Sequence, residues 1–148
     1  MKLKTKCIFC SIIDGELRAV KIFEDSQFVA IMDKYPINTG HTLVLTKKHH
    51  NDIFTMRDDE IGKLFSTVSF LAKVIVRALD AKGLNIGQNN GKAASQIVPH
   101  VHVHIIPRYN YDTPNGRWPS RYLISDKELD NIAQKIKASL TVYGIKAN

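Results

Sequence analysis

Between Asp59 and Leu79 the apolar residues Ile61, Leu64, Phe65, Val68, Leu71, Ala72, Ile75 and Leu79 return every three to four positions, which predicts one long amphipathic helix. Acidic residues crowd its first turn and Gly83 lies just past its end. A second helical period, Leu129, Ile132, Ala133, Ile136 and Leu140, follows a capping box formed by Ser125 and Glu128. The remaining apolar runs are short. Val20 to Glu24 and Phe28 to Met32 flank the turn Asp25-Ser26-Gln27 and predict a hairpin, and Thr42 to Leu45 predicts a third strand. Leu84 to Gln88 and the β-branched stretch Val98 to Ile106 complete five strands. Strands arranged around one long helix, with a helix at the C-terminal end, predict an α+β fold built on a mostly antiparallel five-stranded sheet.

Composition narrows the setting. A chain of 148 residues, 44% hydrophobic and 24% charged, without repeats or low-complexity tracts, suits one globular domain. The best membrane-span candidate, Phe70 to Leu79, is broken by Lys73 and Arg77. The basic start, Met1 to Lys6, leads into an apolar run that reaches only from Cys7 to Ile13, too short for a secretory signal, so a cytoplasmic location is expected. The net charge of +7 suits an anionic partner. Phosphate-rich small molecules and nucleic acid both satisfy that, but the Lys and Arg residues are scattered and carry no nucleic-acid-binding motif. Neither a nucleic-acid nor a membrane partner is expected.

The chemistry concentrates in His100-Val101-His102-Val103-His104. On a strand these histidines share one face at spacings of about 6.5 to 7 Å, while Val101, Val103 and Ile105 point into the core. A lone strand histidine is ordinarily a packed residue; three of six histidines on one face describe a site. A catalytic zinc held by all three is awkward, because metal bonds of about 2 Å draw ligands closer than strand positions four apart allow. Nucleophilic catalysis uses the row better: the central imidazole attacks phosphorus while its neighbours orient it and stabilise phosphate charge. Cys7-x-x-Cys10 reads as a metal half-site or a redox pair. The six residues before it leave no room for the strand a thioredoxin-like site needs.

His100 to Ile106 matches the His-φ-His-φ-His-φ-φ signature, and the chain resembles the histidine-triad (HIT) superfamily of nucleotide hydrolases and transferases. The likeness also takes in Cys7 to Ile13, Ile22 to Asp25, Gly40 to Leu45 and Pro107-Arg108. It implies a single HIT domain over residues 1–148, with a core of about 6–110 and an extension of 111–148. Ile106-Pro107-Arg108-Tyr109 resembles bacterial members acting on adenosine phosphates and dinucleoside polyphosphates. By this resemblance His102 is the nucleophile that becomes nucleotidylated, and His41 and His104 contact the α-phosphate or orient His102. Asp33 binds the ribose hydroxyls, Asn89 occupies the place of a polar side chain near the phosphate, and Gln96, matching a family glutamine just before the triad, joins the nucleotide-binding residues. Ile8, Phe9, Ile12 and Phe28 wall the base pocket. Cys7 and Cys10, with His49 and His100, match the structural zinc set of one subset; His50 is an alternative to its neighbour His49. The likeness also suggests a homodimer.

Two positions depart from the family pattern. Ile97 stands where many members carry a hydroxyl that assists the leaving group, and Ser95 stands where a glycine often precedes the glutamine. Three functions follow as expectations. The first is cleavage at the α-phosphate of adenosine phosphoramidates or dinucleoside polyphosphates through a nucleotidyl-histidine. The second is a nucleotide-binding regulatory module with little or no catalysis, and the third is a zinc-dependent hydrolase.

Overall fold

The structure is a computed structural model that describes residues 6–113 and 117–145. Its centre is a five-stranded sheet in the order β1-β2-β3-β5-β4, with β1 Lys21–Glu24, β2 Phe28–Met32, β3 Thr42–Thr46, β4 Gly83–Gly87 and β5 His102–Arg108. Every pairing is antiparallel. The helices are α1 Ile8–Ile13, α2 Asp58–Leu79 and α3 Asp126–Val142. Among the described residues no helix is long and apolar enough to cross a membrane.

Strand alternation divides the apolar residues between two faces. Phe28, Ala30, Met32, Val44, Val103 and Ile105 join Leu64, Val68, Leu71 and Ile75 of α2 and Leu129, Ile132, Ile136 and Leu140 of α3 in the main core. The opposite face, built from Val29, Ile31, Leu43 and Leu45, packs against Phe9 and Ile12 of α1. Register then fixes the histidines: Leu43 pairs with His104 and Leu45 with His102, so both histidines stand on the α1 face.

The two helical periods are where the sequence places them. Glu60 accepts a hydrogen bond from the Arg57 backbone N–H (3.0 Å) at the start of α2, and the Ser125 hydroxyl accepts from the Glu128 backbone N–H (3.2 Å) at the start of α3. The end of α2 differs from expectation. Its cap is Asp80 at φ 51°, in the left-handed region, and Gly83 already opens β4.

A larger difference concerns the triad strand, expected from Val98 and found from His102. Pro99 has no N–H for a sheet ladder. The His100 N–H turns back to the Val98 carbonyl (2.8 Å), and the Val101 N–H reaches the His50 carbonyl (2.8 Å). His100 therefore lies outside the strand, although its ring stays on the α1 side, 5.8 Å from the Phe9 ring.

Candidate functional site

On the α1 face lies a cleft of about 540 Å³, within the size range of small-molecule sites. Ile8, Phe9 and Ile12 of α1 form one wall, Ile31 and Leu43 come from the sheet, and Asp33, Asn89, His102 and His104 contribute polar groups. Most of the expected pocket residues are thus brought together. Two are not. Phe28 alternates to the opposite face and sits 4% exposed in the main core; Ile31, on the same strand, takes the position at the cleft. Gln96 does not line the cleft. Its side chain braces the neighbouring loop, donating to the Asn51 carbonyl (2.6 Å) and accepting from the Gly91 N–H (2.7 Å).

Hydrogen bonds assign the tautomer of each histidine. His102 Nδ1 lies 2.6 Å from the His100 carbonyl, which can only accept, so Nδ1 carries the proton and Nε2 keeps its lone pair. His102 is 8% exposed and lines the cleft. His41 Nδ1 accepts from the Ile37 N–H (3.0 Å), so its Nε2–H donates to His104 Nδ1 (2.9 Å). His104 must then carry its proton on Nε2, where no acceptor lies among the described residues. The site consequently pairs an unprotonated nitrogen on His102 with an N–H donor on His104, and their rings lie 5.0 Å apart.

Burial favours the neutral state that this chain of bonds requires. It pushes His41 down to about 4, against the opposing pull of the Asp33 carboxylate 3.6 Å away. Burial, with the neighbouring His102 and His41, pushes His104 down to about 3, and burial also lowers His102 despite the stabilising His100 carbonyl. Because the native state holds His41 neutral while the unfolded chain takes up a proton near the ordinary value of 6.5, stability falls as pH drops from about 6.5 toward 4. His41 alone accounts for roughly 2 kcal/mol between pH 7 and 5. Urea midpoints at the two pH values should differ accordingly, and His41→Gln should narrow the gap; equal midpoints for the unmutated chain would remove this account.

A second cluster lies behind the first. Cys7 caps α1 and Cys10 lies in its first turn, both as free thiols, and they face His49 and His100. The four ligand atoms lie within 4.8 Å of one another. His100 Nδ1 is 3.5 Å from Cys7 Sγ, 3.6 Å from Cys10 Sγ and 3.1 Å from His49 Nδ1, and Cys10 Sγ is 3.2 Å from His49 Nδ1. A tetrahedron with bonds of about 2.0 to 2.3 Å has edges of about 3.3 to 3.8 Å, close to these separations. Both rings are also held for ligation. His100 Nε2–H donates to the Thr46 carbonyl (2.7 Å) and His49 Nε2–H to Asn51 Oδ1 (2.9 Å), leaving each Nδ1 lone pair toward the cluster. His50 points elsewhere, with Nε2 3.9 Å from Glu60, so geometry selects His49.

Other cleft residues escaped the sequence reading. Arg121 donates to Asp33 Oδ2 (2.9 Å) across 88 positions of chain, and Arg18, Lys34 and Tyr35 line the same cleft. Nothing in the periodicity of either segment marks them. Ile97 lines the cleft 91% exposed and its side chain offers no donor, although Ser95 lines the same cleft.

Comparison with known proteins agrees with this arrangement. An adenosine 5'-monophosphoramidase of Schizosaccharomyces pombe is 35% identical over 135 residues, covering 90% of this chain and 98% of its own. A hypothetical histidine triad nucleotide-binding protein of Sulfolobus tokodaii superposes with a TM-score of 0.84 at 36% identity, over 92% of this chain and 93% of that one. A zinc-bound histidine triad family protein of Mycobacterium smegmatis does so with a TM-score of 0.76 at 33% identity, over 94% and 96%. Residues 14–111 match the HIT domain, and with the triad, sheet and cleft arranged as described, the chain belongs to the HIT family.

Proposed function

We propose that the protein is a nucleotide hydrolase or transferase that cleaves at the α-phosphate of adenosine phosphoramidates or dinucleoside polyphosphates. The observation that carries the proposal is the tautomer set: His102 Nε2 unprotonated and His104 Nε2–H a donor, side by side in a cleft beside the Asp33 carboxylate. His102 Nε2 attacks the α-phosphorus, forming an N–P bond as the bond to the leaving group breaks with its electron pair. The leaving group takes up a proton from solvent, and His104 Nε2–H stabilises the phosphate oxygens. Water then attacks the same phosphorus, the N–P bond breaks with its electron pair returning to Nε2, and the proton that water loses passes to solvent, which restores the starting tautomer of His102. In this reading Asp33 holds the ribose hydroxyls, Asn89 approaches the phosphate, and Ile8, Phe9 and Ile12 wall the base.

Zinc is the metal that suits two thiolates and two imidazoles with no open position. It is assigned to Cys7, Cys10, His49 and His100, where it cross-links α1, the chain after β3 and the triad segment. Thiolates kept reduced for a metal also suit the cytoplasm. A homodimer is proposed as well, since β4 is an edge strand with Ile86 48% exposed. Light scattering should give twice the chain mass, and a monomer at micromolar concentration would dispose of the dimer.

The exposed Ile97 favours one other reading, a nucleotide-binding module with little catalysis, because it supplies the leaving group with no donor. Covalent trapping separates the two. An α-labelled adenosine phosphoramidate or diadenosine polyphosphate should leave an acid-labile adenylyl group on His102; binding without adduct would favour the regulatory module.

A further inference from the structure

We propose that Arg121 is a specificity-determining residue of the cleft, which makes negative charge on the ligand a condition for full use of Asp33. The inference rests on the nucleotide reading of the cleft and adds a residue and a selection rule to it.

The Asp33 carboxylate is largely covered, at 12% side-chain exposure, and both of its oxygens are engaged. Oδ1 accepts from the Tyr35 N–H (2.9 Å), and Oδ2 accepts from Arg121 Nη1 (2.9 Å). Arg121 Nη1 also reaches the Tyr35 carbonyl. The guanidinium is therefore docked on the group that a ribose diol is proposed to use. The chain that follows Arg121 is anchored. The Tyr122 N–H donates to the Pro36 carbonyl (3.2 Å), and the Ile124 side chain is buried in the main core. The side chain itself stays 46% exposed and lines the cleft, with no acceptor for its Nε or Nη2 among the described residues.

An exchange rule follows. A guanidinium bonded to a carboxylate makes a charge-assisted contact about twice as strong as a neutral one, so uncharged hydroxyls alone displace it at a loss. A ligand that also carries phosphate oxygens gives the guanidinium a new anion, and its Nε and Nη2 donors have no partner to give up among the described residues. Adenosine thus competes with Arg121 for Asp33, whereas AMP supplies both halves of the exchange. The selected class is nucleoside phosphates, and the rejected class is the neutral nucleosides of the same base.

Calorimetric titration of AMP and adenosine into the full chain and into Arg121→Ala tests the rule. Arg121→Ala should bind adenosine more tightly, and the preference for AMP over adenosine should fall by about tenfold or more. Arg121→Lys, which keeps the charge without the fork, should fall between the two. In an Asp33→Asn background Arg121→Ala should leave adenosine binding unchanged. Melting temperatures within about 2 °C of the parent identify variants whose folding is intact, as expected for a half-exposed residue. Unchanged adenosine affinity in both Arg121 variants would overturn the exchange, even if AMP weakened. A parent chain that binds neither ligand, or an Asp33→Asn chain that binds both as the parent does, would instead bring down the nucleotide reading and this inference with it.

Discussion

Replacing His102 with Ala should lower kcat for an adenosine phosphoramidate or diadenosine polyphosphate by on the order of 10⁴-fold or more, with little change in AMP affinity. The size follows from the role assigned to Nε2. It forms the bond to phosphorus, so its removal abolishes the covalent route and leaves only binding and electrostatic stabilisation. His104→Ala should cost less, about 10² to 10³, because it removes one donor to the phosphate and leaves the nucleophile in place. His41→Ala should approach the His104 value although its ring is fully buried, since its Nε2–H fixes which nitrogen of His104 keeps the proton. Turnover by His102→Ala at the parent rate would end the nucleophile assignment. A graded series from His102 to His104 and His41 is the signature of the tautomer chain.

Much of this arrangement could be read from the residues, and the failures have local causes. The long α2 and α3 helices carry several apolar turns each, so their period of 3.6 dominates any competing signal. The six-residue α1 is too short to show one, and it appears in the sequence only as an apolar run. Family likeness placed Phe28 at the base pocket, but the alternation of β2 puts Phe28 in the main core and Ile31 at the cleft. From strand alternation alone the three histidines read as one site, and only the family likeness gave His100 to a second. Pro99 and the tight turn at Val98 remove His100 from the strand, a backbone effect that the alternating pattern hides. The ligand assignment of Cys7, Cys10, His49 and His100 came from family likeness, and geometry then chose between His49 and His50. Arg121 left no trace because its partner lies 88 positions away and its own segment has neither period nor motif.

Stripping the proposed zinc should destabilise the protein by about 4 kcal/mol if free zinc normally stands near a thousandfold above its Kd. At about 2 to 4 °C per kcal/mol, the melting temperature should fall by roughly 8 to 16 °C. The parent chain should carry one zinc per chain by elemental analysis, and Cys10→Ser should melt early whether or not chelator is present. The geometry adds a second consequence. His100 offers Nδ1 to the cluster and, through its backbone carbonyl 2.6 Å from His102 Nδ1, accepts the hydrogen bond that fixes the His102 proton. Loosening the cluster should therefore let the nucleophile's ring lose its fixed tautomer, visible as a change in the His102 ring ¹⁵N shifts below the melting transition. Activity should fall in step with that change. A catalytic metal predicts the opposite pattern, with activity gone while the melting temperature and the His102 shifts hold. If chelation removes the zinc and moves neither, the cluster has no structural hold on the triad, and His100 belongs to the metal site alone.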